Sequence, residues 1–205
     1  MNGPILSGAE KVRAYVISRK TKETNISATL CLDGGEVSVS TGIGFFDHML
    51  TAWAFYAGFG LELKAEGDLY VDGHHTVEDV GICLGDAFTQ ALEEKRGVVR
   101  YGSMLLPMDE ALILTAVDLS GRGMLYYDLH IPTAKVGVFD TELVEEFFTA
   151  LARRGNMTIH IRQLAGSNSH HIIEGAFKSI ARSLGTAVSI DPRFSQEIPS
   201  TKGVL

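Results

Sequence analysis

Two short stretches of this 205-residue chain carry the residue types of a metal or acid–base centre. Residues 74–79 read HHTVED and residues 170–175 read HHIIEG. Each is a His-His-x-x-Glu that opens a segment with apolar residues at helical spacing. On a helix, His74 and Glu78 stand at i and i+4 and share a face, as do His170 and Glu174. The neighbouring His75 and His171 point about 100° away from them. Adjacent histidines on one helix therefore serve two different metals, or one metal and one substrate, more readily than they chelate a single ion. Four imidazoles and two carboxylates without a thiolate suit Mn, Fe, Co, Ni or Zn, and a high coordination number with carboxylates makes Mn(II) reasonable. The pattern is not HExxH, so a zincin-type protease is not indicated.

A single His-His-x-x-Glu on a helix is commonly just a surface polar cluster. Two copies at matched places in a duplicated chain carry more weight, and the match extends upstream. KETNISATLCLDG from Lys22 and DEALILTAVDLSG from Asp109 both have a Glu (Glu23, Glu110) before an alternating, strand-like run, and a Gly (Gly34, Gly121) eleven residues after that Glu. Two further helices begin at FFDHML (45–50) and TELVEEFF (141–148), and bring His48 and Glu146 as natural extra ligands. The chain thus reads as one domain of two repeats, roughly 11–95 and 96–188, with a polar tail beyond. Strands are expected near 12–19, 25–32, 36–40 and 61–71, and near 98–106, 112–119, 124–131 and 157–164. That order of strands and helices indicates an α+β layered fold. The tail from Asp191, with two prolines, is expected to be extended.

Lys and Arg total 18 against 25 Asp and Glu, a formal charge of −7, with no Lys/Arg-rich run. Nucleic-acid binding is disfavoured, because phosphate contacts need clustered positive charge. A few local cations can still hold a small anion. Arg100, Arg122, Lys178 and Lys202 stand beside glycine or small residues, and with Ser200 they could form a phosphate clamp. Each alone reads equally as a solvated surface cation. Glu23 lies in the charged string RKTKET, where a surface salt bridge is the simpler reading. Cys31 and Cys83 are far apart and in apolar runs, as expected of reduced core residues in a cytoplasmic protein. The opening MNGPILSGAEKVR lacks the apolar stretch of a signal peptide, and the window Met49 to Leu61 is too short to span a bilayer.

The motifs TKETNI (21–26), FFDHML (45–50), HHTVEDVGI (74–82), MDEAL (108–112), DLSGR (118–122), MTIHIRQLAGSNSHHIIEGAFKSIAR (157–182) and STKGVL (200–205) together resemble the imidazoleglycerol-phosphate dehydratases. They run in order across nearly the whole chain. The resemblance implies helices packed between two mostly antiparallel four-stranded sheets, each half being a ribosomal-protein-like unit. It implies two Mn(II) ions per active site, held by His48, His74, His75, Glu78, His170, His171 and Glu174. Glu146 stands where the family often has histidine and is kept as a ligand. The phosphate would be held by Arg100, Arg122, Lys178, Ser200 and Lys202, with Glu23 near the reacting carbons. Ala52 and Gly123 depart from a frequent glutamine and a frequent proline. The family forms a cage of about twenty-four subunits with active sites at subunit contacts.

The implied reaction dehydrates imidazole glycerol phosphate to imidazole acetol phosphate. A metal-bound imidazolate would expel the hydroxyl to give a diazafulvene-like intermediate, and Glu23 and Glu174 are the candidates for proton transfer. A metal-dependent phosphatase, a shell-forming protein cross-linked through its His pairs, and an RNA-binding module are the rival readings. The repeated His/Glu sets and the scattered cations favour the dehydratase.

Overall fold

The computed structural model describes residues 3–4 and 12–205. The repeat boundary at residue 11 and most of the opening segment lie outside these. The elements run β1 (Gly3–Pro4), β2 (Ala14–Lys20), β3 (Thr24–Cys31), β4 (Val37–Ser40), α1 (Gly44–Ala57), β5 (Gly60–Gly67) and α2 (His74–Leu92). The second half adds β6 (Tyr101–Met108), β7 (Ala111–Asp118), β8 (Met124–Asp128), β9 (Lys135–Val136), β10 (Phe139–Asp140), α3 (Leu143–Arg154), β11 (Thr158–Ala165) and α4 (Ser169–Val188). Each expected strand is present within a few residues. The exception in length is the run expected over 61–71, which ends as a strand at Gly67. Beyond it the alternation breaks at Asp68, Asp72 and Gly73, leaving a loop that delivers the first His pair.

Alternation builds both sheets. On β3, Ile26, Ala28 and Leu30 point inward while Asn25 and Ser27 face out; on β7, Ile113, Thr115 and Val117 point inward. The first sheet has the order β1-β2-β3-β5-β4 and the second β6-β7-β11-β8. Apart from the two-residue edge β1, the topologies coincide. The first three long strands of each pair antiparallel, and the outermost (β4 or β8) joins in parallel. Helices α1 and α2 lie on the first sheet, and α3 and α4 on the second; α1 faces α4 and α2 faces α3. The result is four layers, with the helices in the middle.

The core runs through all four layers and contains Phe46, Trp53, Phe88, Phe147, Phe148 and Phe177. Phe147 stacks on Phe177 with centroids 5.4 Å apart. The α2–α3 contact is closer: a Cβ on Gly81 would stand 2.8 Å from the Phe147 carbonyl oxygen, so only glycine lets the backbones meet there. Burial pushes the Cys83 thiol up to about 12, as fits an inert core residue. Both cysteines are free thiols. No helix among the described residues is long and apolar enough to cross a membrane.

The tail departs from expectation. Residues 191–205 are not extended: a 3-10 turn forms over Pro192–Phe194 and further turns follow. Asp191 caps that turn by accepting from the Arg193 backbone N–H, and Gly97 donates to the Glu197 carbonyl. A two-residue hairpin, β9 and β10, also forms where no strand was expected.

Candidate metal centre

Both His-His-x-x-Glu motifs sit at helix N-termini, where a sheet strand ends and a short loop turns the chain inward. α4 is capped by Asn168, whose side chain accepts from the backbone N–H groups of His170 and His171. α2 has Gly73 at the cap position without a side-chain cap; Asp72 accepts from the His74 N–H instead, at 2.8 Å. The two rings of each pair turn to different partners: His74 to Glu78 and His75 to Asp68, His170 to Glu174 and His171 to Glu110.

His48, His170 and Glu174 come together. Each offers one ligand atom, and these atoms lie within 4.8 Å of one another. His170 Nε2 is 3.0 Å from Glu174 Oε2, and His48 Nε2 is 3.9 Å from Glu174 Oε1. Glu174 is buried, and desolvation alone would raise its carboxyl. The Lys178 ammonium 2.7 Å away and the neighbouring histidines outweigh that and hold it below the usual carboxylate value. A buried anionic oxygen between two imidazoles fits a divalent cation.

The first-half motif is more open. His74 Nε2 is 4.0 Å from Glu78, and His75 Nε2 is 3.9 Å from Glu23, both in partly exposed surroundings. His75 Nδ1 faces both oxygens of Asp68, at 3.1 and 3.2 Å. His171 similarly directs Nδ1 to Glu110 at 2.7 Å and lies with Nε2 3.6 Å from Asp109. These contacts raise both rings above the ordinary imidazole value, the hydrogen bond to the carboxylate being the largest cause in each. Glu146, on α3, joins no His/carboxylate cluster among the described residues.

The cations divide into two places. Arg100 has φ +75°, pairs with Asp118 at 2.8 Å and donates to the Pro199 carbonyl. That brings the tail, with Ser200 and Lys202, beside it. Leu205 closes the tail against Gly121, next to the exposed Arg122. Lys178 stands apart from this group. Arg100 binds the backbone near Ala187, nine residues beyond Lys178 and so about 13 Å farther along α4. Lys178 instead neutralises Glu174 and lies over the Tyr56 ring.

Sequence reasoning missed Asp68 and Asp79. Asp79 is buried, accepts from Arg19 Nε at 2.7 Å and from Thr24 Oγ1 at 2.5 Å, and ties the start of α2 to the first sheet. The cue for both was a carboxylate close in sequence to the His pair, Asp68 in the loop before it and Asp79 one helical turn after it.

The family model described as imidazoleglycerol-phosphate dehydratase matches residues 41–184. The imidazoleglycerol-phosphate dehydratase of Desulforamulus reducens is 60% identical over 194 residues, covering 94% of this chain and 98% of its own. That of Dinoroseobacter shibae is 56% identical over 195 residues, covering 95% and 100%. Among solved structures, imidazoleglycerol-phosphate dehydratase from Staphylococcus aureus superposes with a TM-score of 0.80 at 39% identity, covering 87% of this chain and 99% of its own. IGPD from Pyrococcus furiosus does so with 0.81 at 40%, covering 92% and 100%.

Proposed function

Because the chain belongs to the imidazoleglycerol-phosphate dehydratase family, hydro-lyases of histidine biosynthesis, we propose that it dehydrates imidazole glycerol phosphate to imidazole acetol phosphate with Mn(II) bound. The observation that carries this reading is the buried Glu174 between His48 and His170, repeated in type by the more open His74, His75 and Glu78. His171 and Glu146 complete the proposed ligand set. When bound, two Mn(II) ions per active site supply Lewis acidity that favours the anionic form of the substrate's imidazole ring.

The residues of the chain do the rest. The reaction removes one hydroxyl and one C–H proton as water and leaves an enol that tautomerises to the ketone. The lost proton has no neighbouring carbonyl to acidify it, so the ring must first expel the hydroxyl and give a diazafulvene-like species. Glu23, exposed and 3.9 Å from His75 Nε2, takes the proton from the adjacent carbon. Glu174, held anionic beside Lys178, is the second candidate for proton transfer. Arg100, Ser200, Lys202 and Arg122 lie about the tail and grip the phosphate, and Lys178, about 13 Å away along α4, joins them only from another copy of the chain.

The two His/Glu sets do not share a cluster within one chain. This supports a homo-oligomer in which the first-half motif of one copy completes the second-half motif of another; the family resemblance is what implies a cage of about twenty-four subunits. The outer faces of the sheets fit that reading. The first is polar, with Ser18, Ser27 and Lys64, whereas the second exposes Tyr101, Leu105 and Tyr126. The free thiols and the biosynthetic family favour a cytoplasmic setting.

Turnover tests the proposal. Metal-stripped protein is given Mn(II) and imidazole glycerol phosphate, and imidazole acetol phosphate is followed by mass spectrometry alongside free phosphate. Mn-dependent ketone without phosphate release is expected. Phosphate release without ketone would replace the dehydratase by a phosphatase.

A further inference from the structure

The two histidines that face away from their own motif glutamates are each gripped by a carboxylate from outside the motif. Asp68, in the loop after β5, meets His75 Nδ1 with both oxygens. Glu110, in the turn between β6 and β7, meets His171 Nδ1 with one oxygen and accepts the Ser167 and Asn168 N–H groups with the other, at 3.1 and 2.7 Å. An ionised carboxylate only accepts hydrogen bonds, so in both rings Nδ1 must carry the proton. In the neutral ring the lone pair then lies on Nε2, the nitrogen that faces Glu23 in one half and Asp109 in the other.

The two halves reach this arrangement by different routes. Glu23 and Glu110 hold matched positions in the repeat. Glu110 is committed, anchoring both the imidazole and the loop that caps α4. Glu23 makes no such commitment, because Asp68 supplies the grip on His75 from a different loop. Asp68 also donates its own backbone N–H to the Glu23 carbonyl at 3.1 Å, which fixes the two loops together.

Resting on the metal-centre reading above, we infer that Asp68 and Glu110 are positioning residues that fix the Nδ1–H tautomer of His75 and His171 and aim Nε2 at the metal. Asp68 thereby leaves Glu23, alone of the matched glutamates, available to substrate. A carboxylate behind a ligating imidazole sets ring orientation and basicity.

The test begins on the metal-free protein, at a pH where both rings are neutral. Long-range 1H–15N spectra of the imidazoles are expected to show Nδ1–H on His75 and His171. Asp68→Ala and Glu110→Ala should each return the affected ring toward the Nε2–H form that free histidine prefers. Each should also weaken Mn(II) binding about 10–100-fold, read from the EPR signal of free Mn(II). Asp68→Asn keeps an acceptor oxygen and should retain the tautomer and most of the affinity, a rescue that a purely structural role would not produce. Glu110→Ala also removes the loop contacts and can unfold the site. The Asp68 variants decide in that event, since the Asp68 carboxylate hydrogen-bonds only to His75 among the described residues. Nε2–H rings in the wild type, or unchanged Mn(II) affinity in the alanine variants, overturn the inference. A wild type with Nδ1–H rings that binds no Mn(II) overturns the metal reading and the aim of the rings with it.

Discussion

The two His pairs occupy matched helix starts, yet their surroundings differ. The second is built into the core. Glu174 is 7% exposed and touches His48, His170 and Lys178, and α4 begins on a capping asparagine. The first is shallow. Glu78 is half-exposed, α2 lacks a side-chain cap, and His75 Nε2 faces the exposed Glu23 at 3.9 Å. The framework beneath them differs as well. Counted from the His pairs, Asp79 in α2 matches Gly175, and Cys83 matches Ser179. The first half therefore anchors its helix with an ion pair between the buried Asp79 and the half-exposed Arg19, while the second uses a hydroxyl trio of Thr115, Ser179 and Ser183 at 2.7–2.8 Å. One half offers a preorganised donor set, and the other offers donors that need a further surface to close over them. A duplicated unit can divide labour in this way without changing its fold.

Removing Glu174 strikes the preorganised half and should have the largest effect. Glu174→Ala takes a buried donor from the metal and leaves Lys178 unpaired. Turnover should fall below detection, with Mn(II) content reduced by elemental analysis. Wild-type metal content would erase the distinction between the halves. Glu23→Gln strikes the open half. It should keep metal content but lower turnover about 10²–10⁴-fold, the usual worth of a general acid or base; full activity would end that assignment.

Stability should follow the same division on a smaller scale. Asp79→Ala takes the carboxylate acceptor from the Thr24 hydroxyl, which keeps Thr21, and the partner from the half-exposed Arg19 guanidinium, a loss of about 1–3 kcal/mol by denaturant unfolding. Ser179→Ala should cost less, about 0.5–1.5 kcal/mol, because Thr115 keeps its bond to Ser183. Equal losses would mean that the anchors are interchangeable.

The smallest effect concerns the strap between the halves. Arg13 pairs with Asp33 and donates to the Val188 carbonyl at the end of α4. Burial would raise the Asp33 carboxyl, but hydrogen bonds from the Arg13 side chain and backbone prevail and hold it below its ordinary value. A depressed carboxylate stabilises the fold above its unfolded value, near pH 4, and that contribution is lost as pH falls through the folded value. Wild type and Asp33→Asn should therefore differ in unfolding at pH 7 and converge as the pH falls below about 4 and through the folded value. A constant difference would place the effect outside the ionisation.

Much of this was legible in the sequence because the signals are local. Period-2 alternation marked strands such as β3 and β7, and the apolar spacing after each His pair marked α2 and α4. The duplicated motif marked the candidate ligands, of which His170 and Glu174 come together with His48. What was not legible depends on how the layers pack. Nothing in FFDHML says that His48, 26 residues before the first His pair, joins the second one. It does so because α1 packs on α4 across the middle of the molecule. The burial of Glu174, the split between Lys178 and the tail cations, and the different carboxylates behind His75 and His171 are likewise tertiary. The tail misled because its two prolines suggested extension, while Asp191 and Gly97 found turn partners.

The claim that the open half of one copy closes on the preorganised half of another can be measured by complementation. His74→Ala/Glu78→Ala and His170→Ala/Glu174→Ala chains are expressed separately and together, with mixed assemblies verified by native mass spectrometry. Each variant alone should be inactive. In an equal mixture, random pairing leaves about a quarter of the sites with both halves intact, and activity should return to about that fraction of wild type. Mixed assemblies that remain inactive would contradict the account and return the whole site to a single chain.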